Sequence, residues 1–90
     1  MIPTHRAPIH PGEIILEEFL KPLEMTQVAA AEKMGISLNR LNELIRGKRG
    51  VTADTALRLA KLFKMTPEFW MNLQNAYDLY EAKRELAHAG

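Results

Sequence analysis

The twenty residues from Gln27 to Arg46, QVAAAEKMGISLNRLNELIR, hold two short apolar-periodic runs separated by one glycine, Gly35. Two helices meeting at a tight turn satisfy that pattern: Gly35 closes the first in the left-handed conformation, and Ser37 caps the second. Ala31 lies four residues before the glycine, a small side chain where the first helix must pass close to the second. Ala30, Met34, Ile36, Leu41 and Leu44 fall on the shared inner face. Ser37, Asn39, Arg40, Asn42, Glu43 and Arg46 are left pointing outward. Those are donors and acceptors suited to base edges and phosphates, so residues 27–46 are predicted to form a DNA-reading helix-turn-helix.

The flanks supply three more helices. The first starts after Pro11-Gly12, with Ile15, Leu16, Phe19, Leu20 and Leu23 as its apolar stripe, and Pro22 ends or bends it by removing an amide donor. Thr26 caps the second helix, and Gly47 ends the third as Gly35 ends the second. Thr52 caps a fourth, TADTALRLAKLF, whose apolar face is Ala56, Leu57, Ala60 and Phe63; Asp54 sits in its first turn, where negative charge favours the helix dipole. Thr66-Pro67-Glu68 starts a fifth, predicted over residues 67–86. No strand-like alternation, repeat or low-complexity linker interrupts this series. The expectation is an all-α, five-helix domain over residues 12–86, with an N-terminal arm at 1–11 and a short tail at 87–90.

Ninety residues suffice for one small domain. The chain has no cysteine, which removes disulfides, thiolate metal sites and thiol nucleophiles. Its only serine, Ser37, is accounted for as a cap, and His5, His10 and His88 lack metal-ligand spacing, with His10 before Pro11 better explained as structural or solvent-facing. Neither catalysis, a metal, a cofactor nor a small-molecule substrate is expected. No apolar run approaches a membrane span and the N-terminus has no signal-peptide core, so a soluble, cytoplasmic protein is expected. The net charge is only +1, but it is unevenly placed. Arg40, Arg46, Lys48 and Arg49 face a single acid, Glu43, between Ser37 and Gly50, whereas Glu13, Glu17, Glu18 and Glu24 oppose only Lys21 between His10 and Met25. One basic face suits a polyanion bound at one place.

Within that face each residue type has its chemistry. Asn39 and Asn42 share a side of the third helix, and either amide suits adenine; Arg40 suits guanine O6 and N7. Ser37, at the helix N-terminus, offers its hydroxyl or backbone amide to a phosphate, and Gln27, opening the preceding helix, offers a phosphate or neighbouring base contact. Arg46, Lys48 and Arg49 bind phosphates and fix register. Glu43 either accepts from a cytosine amine or pairs with Arg46 or Arg40. On the fifth helix, Phe69, Trp70, Leu73, Tyr77 and Tyr80 exceed what one face of a terminal helix normally buries. Phe69 and Leu73 suit the core, and Trp70, Leu73, Tyr77 and Tyr80 are the candidate surface for a second copy. A two-fold dimer then presents two recognition helices about 34–36 Å apart, matching a palindromic operator.

Five short helices around a helix-turn-helix resemble the Cro/C1-type (XRE, lambda repressor-like) DNA-binding domain. Beyond that general likeness, HPGEII at His10–Ile15, GKRGVTADTALRLAKLF at Gly47–Phe63 and TPEFWMNLQNAYDL at Thr66–Leu79 are similar to the HigA antitoxin family, whose members include virulence-associated protein I. The resemblance runs from about His10 to Ala82. It implies a bacterial type II toxin–antitoxin module, in which an antitoxin homodimer represses its own operon and neutralises an mRNA-cleaving, RelE-like toxin of the HigB class. Glu13, Glu17 and Glu18 are then candidates for contact with a basic toxin, although a solvated helix face explains them equally. Two other readings of the residues remain open: a stand-alone Cro/C1-type regulator without a toxin, and a helix-turn-helix used only for protein association.

Overall fold

The computed structural model describes residues 7–89. Residues 1–6 of the expected arm, His5 among them, and Gly90 of the expected tail lie outside that range. The described residues form five helices: α1 (Pro11–Ile14, continuing as a π-helical segment Ile15–Leu20), α2 (Gln27–Met34), α3 (Leu38–Ile45), α4 (Ala53–Phe63) and α5 (Pro67–Ala89). No strand occurs among them.

The caps fall where side-chain chemistry places them. Thr26 Oγ1 accepts from the Ala29 amide at 3.0 Å, Ser37 Oγ from Arg40 at 3.1 Å, Thr52 Oγ1 from Thr55 at 3.4 Å and Thr66 Oγ1 from Phe69 at 3.1 Å. Each satisfies an amide that its helix leaves without a partner. Gly35 (φ 73°) closes α2 and Gly47 (φ 76°) turns the chain after α3. At the head of α1 the cap is His10, whose Nδ1 accepts from the Gly12 amide at 2.9 Å. Only a neutral ring can accept there, and burial of the imidazole pushes its pKa below 6.5, outweighing the carboxylates of Asp78 and Glu13. Folding therefore favours the unprotonated ring, and stability should fall as pH drops below about 6.5. Urea unfolding at pH 7.5 and pH 5 checks this: His10→Asn keeps a cap acceptor and should lose less than the parent on acidification. Equal losses would place the effect elsewhere.

Gly12 explains how α1 meets α3. A Cβ there would overlap the Leu44 carbonyl oxygen and come within 2.8 Å of the Ile45 Cα, so the two backbones touch directly. After this contact α1 widens: Lys21 donates to the Leu16 carbonyl five residues back at 3.0 Å. Ile15 and Leu20, also five apart, are both buried. The expected i, i+4 stripe therefore gives way to a five-residue spacing, and Leu23, placed in that stripe, lies beyond the helix and is 57% exposed. The helix stops at Leu20, ahead of Pro22, and Glu24 (φ 52°) helps turn the chain towards α2.

The core joins Ile15 and Leu20 to Ala30, Ala31 and Met34 of α2, Leu41 and Leu44 of α3, Val51, Ala56, Leu59 and Phe63 around α4, and Trp70 of α5. Two sequence expectations are corrected here. The apolar spacing puts Leu57 on the buried face of α4, but it is 61% exposed; Thr55 and Leu59 are buried instead. Thr55 can turn inward because its hydroxyl is hydrogen-bonded, to Arg40 at 2.8 Å and near Thr52 at 3.2 Å. Trp70, assigned to a dimer surface, is wholly buried within the monomer, among Phe19, Phe63 and Phe69 at centroid distances of 5.3, 6.3 and 5.0 Å. A charged replacement at Trp70 would unfold the subunit rather than separate two subunits. Helix α5 also runs three residues past its expected end, so residues 87–89 of the expected tail are helical.

Candidate nucleic-acid interface

Thr26 and Ser37, the caps of α2 and α3, bring the first turns of the two helices side by side. A hydrogen bond from Asn42 Nδ2 to Gln27 Oε1 at 3.2 Å links the two helices there. Around this pair Thr26, Gln27, Val28, Leu38, Asn39 and Asn42 line a shallow concavity. Asn39 is exposed there, and Ser37, next to Leu38 in the chain, is exposed with its hydroxyl committed to capping Arg40. Four expected reading residues, Gln27, Ser37, Asn39 and Asn42, thus lie together on the face formed by the start of α2 and α3.

Arg40 does not lie with them. Its guanidinium turns towards α4, where Nη2 meets Asp54 Oδ2 and Thr55 Oγ1, each at 2.8 Å. Asp54 also accepts from Arg58 Nε at 2.9 Å, and Arg58 Nη1 donates to the Met34 carbonyl at 2.7 Å. The hydrogen bond from Arg40, reinforced by Arg58, holds the Asp54 carboxyl below its usual range. The three side chains tie the turn at Gly35 to the first turns of α3 and α4. The sequence predicts a freely projecting Arg40; it is instead half-buried in this network, because α4 presents a carboxylate and a buried hydroxyl to it.

The basic loop after α3 is also more ordered than its composition implies. Lys48 donates its amide to the Glu43 carbonyl at 2.9 Å, which folds the loop back over the end of α3. Arg49 then reaches the Glu43 carboxylate through Nη2 at 2.7 Å and Nε at 3.3 Å. Glu43 therefore pairs with Arg49 and not with Arg46 or Arg40. Arg46 and Lys48 are exposed and form no ion pair among the described residues. Behind the loop stands Gln74, a buried polar residue that sequence reasoning missed. Its Oε1 accepts from the Val51 amide at 2.7 Å and its Nε2 donates to Asp78 Oδ1 at 2.9 Å. The available signal was its position four residues after Trp70, on the same buried face of α5.

The remaining candidates are distributed as follows. Leu73, Tyr77 and Tyr80 are half-buried, and Tyr77 meets the His10 ring edge-on at 4.8 Å. Leu79 and Leu86, not foreseen as surface residues, are 63% and 74% exposed on the same helix. Glu13, Glu17 and Glu18 are exposed on α1, with Glu17 paired to Lys21 at 2.7 Å. Among the described residues no cluster of His, Asp and Glu is arranged to hold a metal ion, and no helix is long and apolar enough to cross a membrane.

Comparison with known proteins places this geometry in a family. The family model described as Helix-turn-helix matches residues 16–70. Virulence-associated protein I of Dichelobacter nodosus is 48% identical over 86% of this chain and 71% of its own length. Antitoxin HigA-1 of Vibrio cholerae is 44% identical over 89% of this chain and 75% of its own. A solved structure of the Pseudomonas aeruginosa antitoxin HigA with the higBA promoter superposes with a TM-score of 0.87 at 39% identity, covering 91% of this chain and 89% of that one. The chain is thus a helix-turn-helix protein and not an enzyme; it belongs to the HigA antitoxin family of Cro/C1-type helix-turn-helix proteins.

Proposed function

We propose that this protein is a cytoplasmic antitoxin that, as a homodimer, binds the operator of its own operon and neutralises an mRNA-cleaving toxin of the HigB class. The observation that carries the DNA-binding part is the shared face of Gln27, Ser37, Asn39 and Asn42 beside the exposed charges of Arg46 and Lys48. Amides at the start of α3 suit base edges, and the cations after it suit phosphates. Arg49 joins them by exchanging its pairing with Glu43 for a phosphate, and Glu43 is then free to accept from a cytosine amine. Arg40 acts chiefly by fixing the position of α3 against α4, with a base contact available to it only if it leaves Asp54. The occurrence of a promoter in the structure of the HigA relative supports the same reading.

The dimer is assigned to α5. Leu73 and Tyr80, seven residues apart, and Leu79 and Leu86, also seven apart, form two apolar rows along it, roughly 100° apart around the helix axis. A second copy is the partner that would bury both rows while pairing two recognition helices. For the toxin, the exposed carboxylates of α1 remain the best-suited surface, since an enzyme that cleaves RNA presents positive charge to its substrate.

A titration of the DNA upstream of the gene at several salt concentrations tests the first part. Affinity should fall steeply with salt, and Arg46→Ala and Lys48→Ala should each make the logarithmic salt slope shallower by about 0.9 for every phosphate left without its cation. Binding that ignores salt would leave a protein-association module as the surviving function. Co-expression with the product of a neighbouring small basic reading frame tests the second part: rescue of growth identifies an antitoxin, and operator binding without rescue identifies a stand-alone regulator.

A further inference from the structure

The reading face carries two apolar side chains that the fold does not use. Val28 is 54% exposed and Leu38 46% exposed, and both line the concavity that holds Gln27, Asn39 and Asn42. Leu38 is the first residue of α3 and Val28 the second of α2, so neither is there to cover the core, which lies on the other side of both helices. Scattered apolar residues are ordinary on a protein surface. Two of them flanking a hydrogen-bonded amide pair, at the mouth of a helix-turn-helix with cations after α3, select a more specific occupant. In the major groove only one unmodified base offers an apolar group: thymine, through its C5 methyl.

We infer that Val28 and Leu38 form a methyl-reading site that takes the C5 methyl of a thymine in the operator. This rests on the DNA-binding function proposed above and adds a specificity determinant to it. The amide pair supports the assignment. The hydrogen bond from Asn42 Nδ2 to Gln27 Oε1 leaves the Asn42 carbonyl oxygen and the Gln27 Nε2 amide group without a partner among the described residues, so acceptor and donor capacity remains beside the two apolar side chains. Adenine presents the complementary N7 acceptor and N6 donor. Amides beside an apolar patch therefore read neighbouring A·T pairs by polar groups on one strand and by a methyl on the other.

Deoxyuridine in place of thymidine removes that methyl and nothing else in the groove. Duplexes enriched by the wild-type protein from a random-sequence pool would be remade with uracil at each thymine in turn and titrated by fluorescence anisotropy. At one thymine per half-site the wild type should lose about fourfold in affinity, the ratio expected for desolvating one methyl group. Leu38→Ala should bind the thymine duplex about as weakly as the wild type binds the uracil one, and should no longer distinguish the two. Val28→Ala should show the same convergence in part, and circular dichroism should show both variants folded, since each residue is about half exposed. Uracil without effect at every position, or Leu38→Ala and Val28→Ala that both stay fully sensitive to it, would overturn the assignment. A pool in which no sequence is enriched would instead overturn the DNA-reading function, and the methyl site with it.

Discussion

Replacing Leu79 and Leu86 together by glutamate should give a folded monomer whose operator affinity is at least about 100-fold weaker. At 63% and 74% exposed, both side chains lie outside the core, and a carboxylate at either needs no desolvation in the free subunit. In a dimer across α5 the same four carboxylates would face one another in a closed apolar seam, where unpaired charge is strongly unfavourable. The consequence for DNA is a matter of valency. A dimer holds two recognition helices for one association cost, whereas a monomer keeps one short helix and a few phosphates, in the range of about 10⁻⁴ to 10⁻⁶ M typical of non-specific contact. Light scattering and anisotropy titration measure the two consequences separately. A variant that stays dimeric moves the interface off this part of α5, and a monomer with undiminished affinity removes the need for a dimer.

Gly12→Ala should destabilise the domain by about 3 kcal/mol, lowering its melting temperature by roughly 15 °C. The added methyl meets backbone, the Leu44 carbonyl and the Ile45 Cα, and backbone inside a helix cannot rotate aside as a side chain can. Relief requires the head of α1 to lift from α3, which breaks the His10 cap and opens the packing beneath Ile15. For a domain whose total stability is of the order of 5–15 kcal/mol, that is a large share. Thermal unfolding followed by circular dichroism reads it directly; a fall of under about 0.5 kcal/mol would mean that the two backbones do not touch.

The contrast between these sites shows which parts of the molecule were legible in the sequence. Caps were legible because they are local: Thr26, Ser37, Thr52 and Thr66 each satisfy an amide three residues on, whatever lies farther away. Burial was less legible because periodicity gives a helix a face without saying what covers it. Trp70 and Tyr80 belong to one aromatic series, yet one is enclosed by Phe19 and Phe63 and the other is half-exposed farther along α5. Leu23 is misplaced by assuming a regular helix where α1 widens, and Leu57 by not foreseeing that Arg40 allows Thr55 to be buried. Helical neighbours suggest partners for Arg40 and Glu43, but the actual partners come from elsewhere: Asp54 on the next helix and Arg49 on a loop that doubles back. Ion pairs closed by tertiary contact leave no short-range signature.

Gln74 divides the interface into an exchangeable part and a fixed one. Because it grips the Val51 amide from α5, the loop that follows α3 is seated on the same helix that the second copy would cover. A Cβ at Gly50 would stand 3.0 Å from the Gln74 amide, leaving that loop no slack. The side chains of Val28, Leu38 and Asn39 project from the surface and are not held in this way. On the function proposed above, new operator sequences would be within reach of a few substitutions at those tips, while the spacing of the two half-sites would be inherited with the scaffold and would change only when α5 itself is rebuilt.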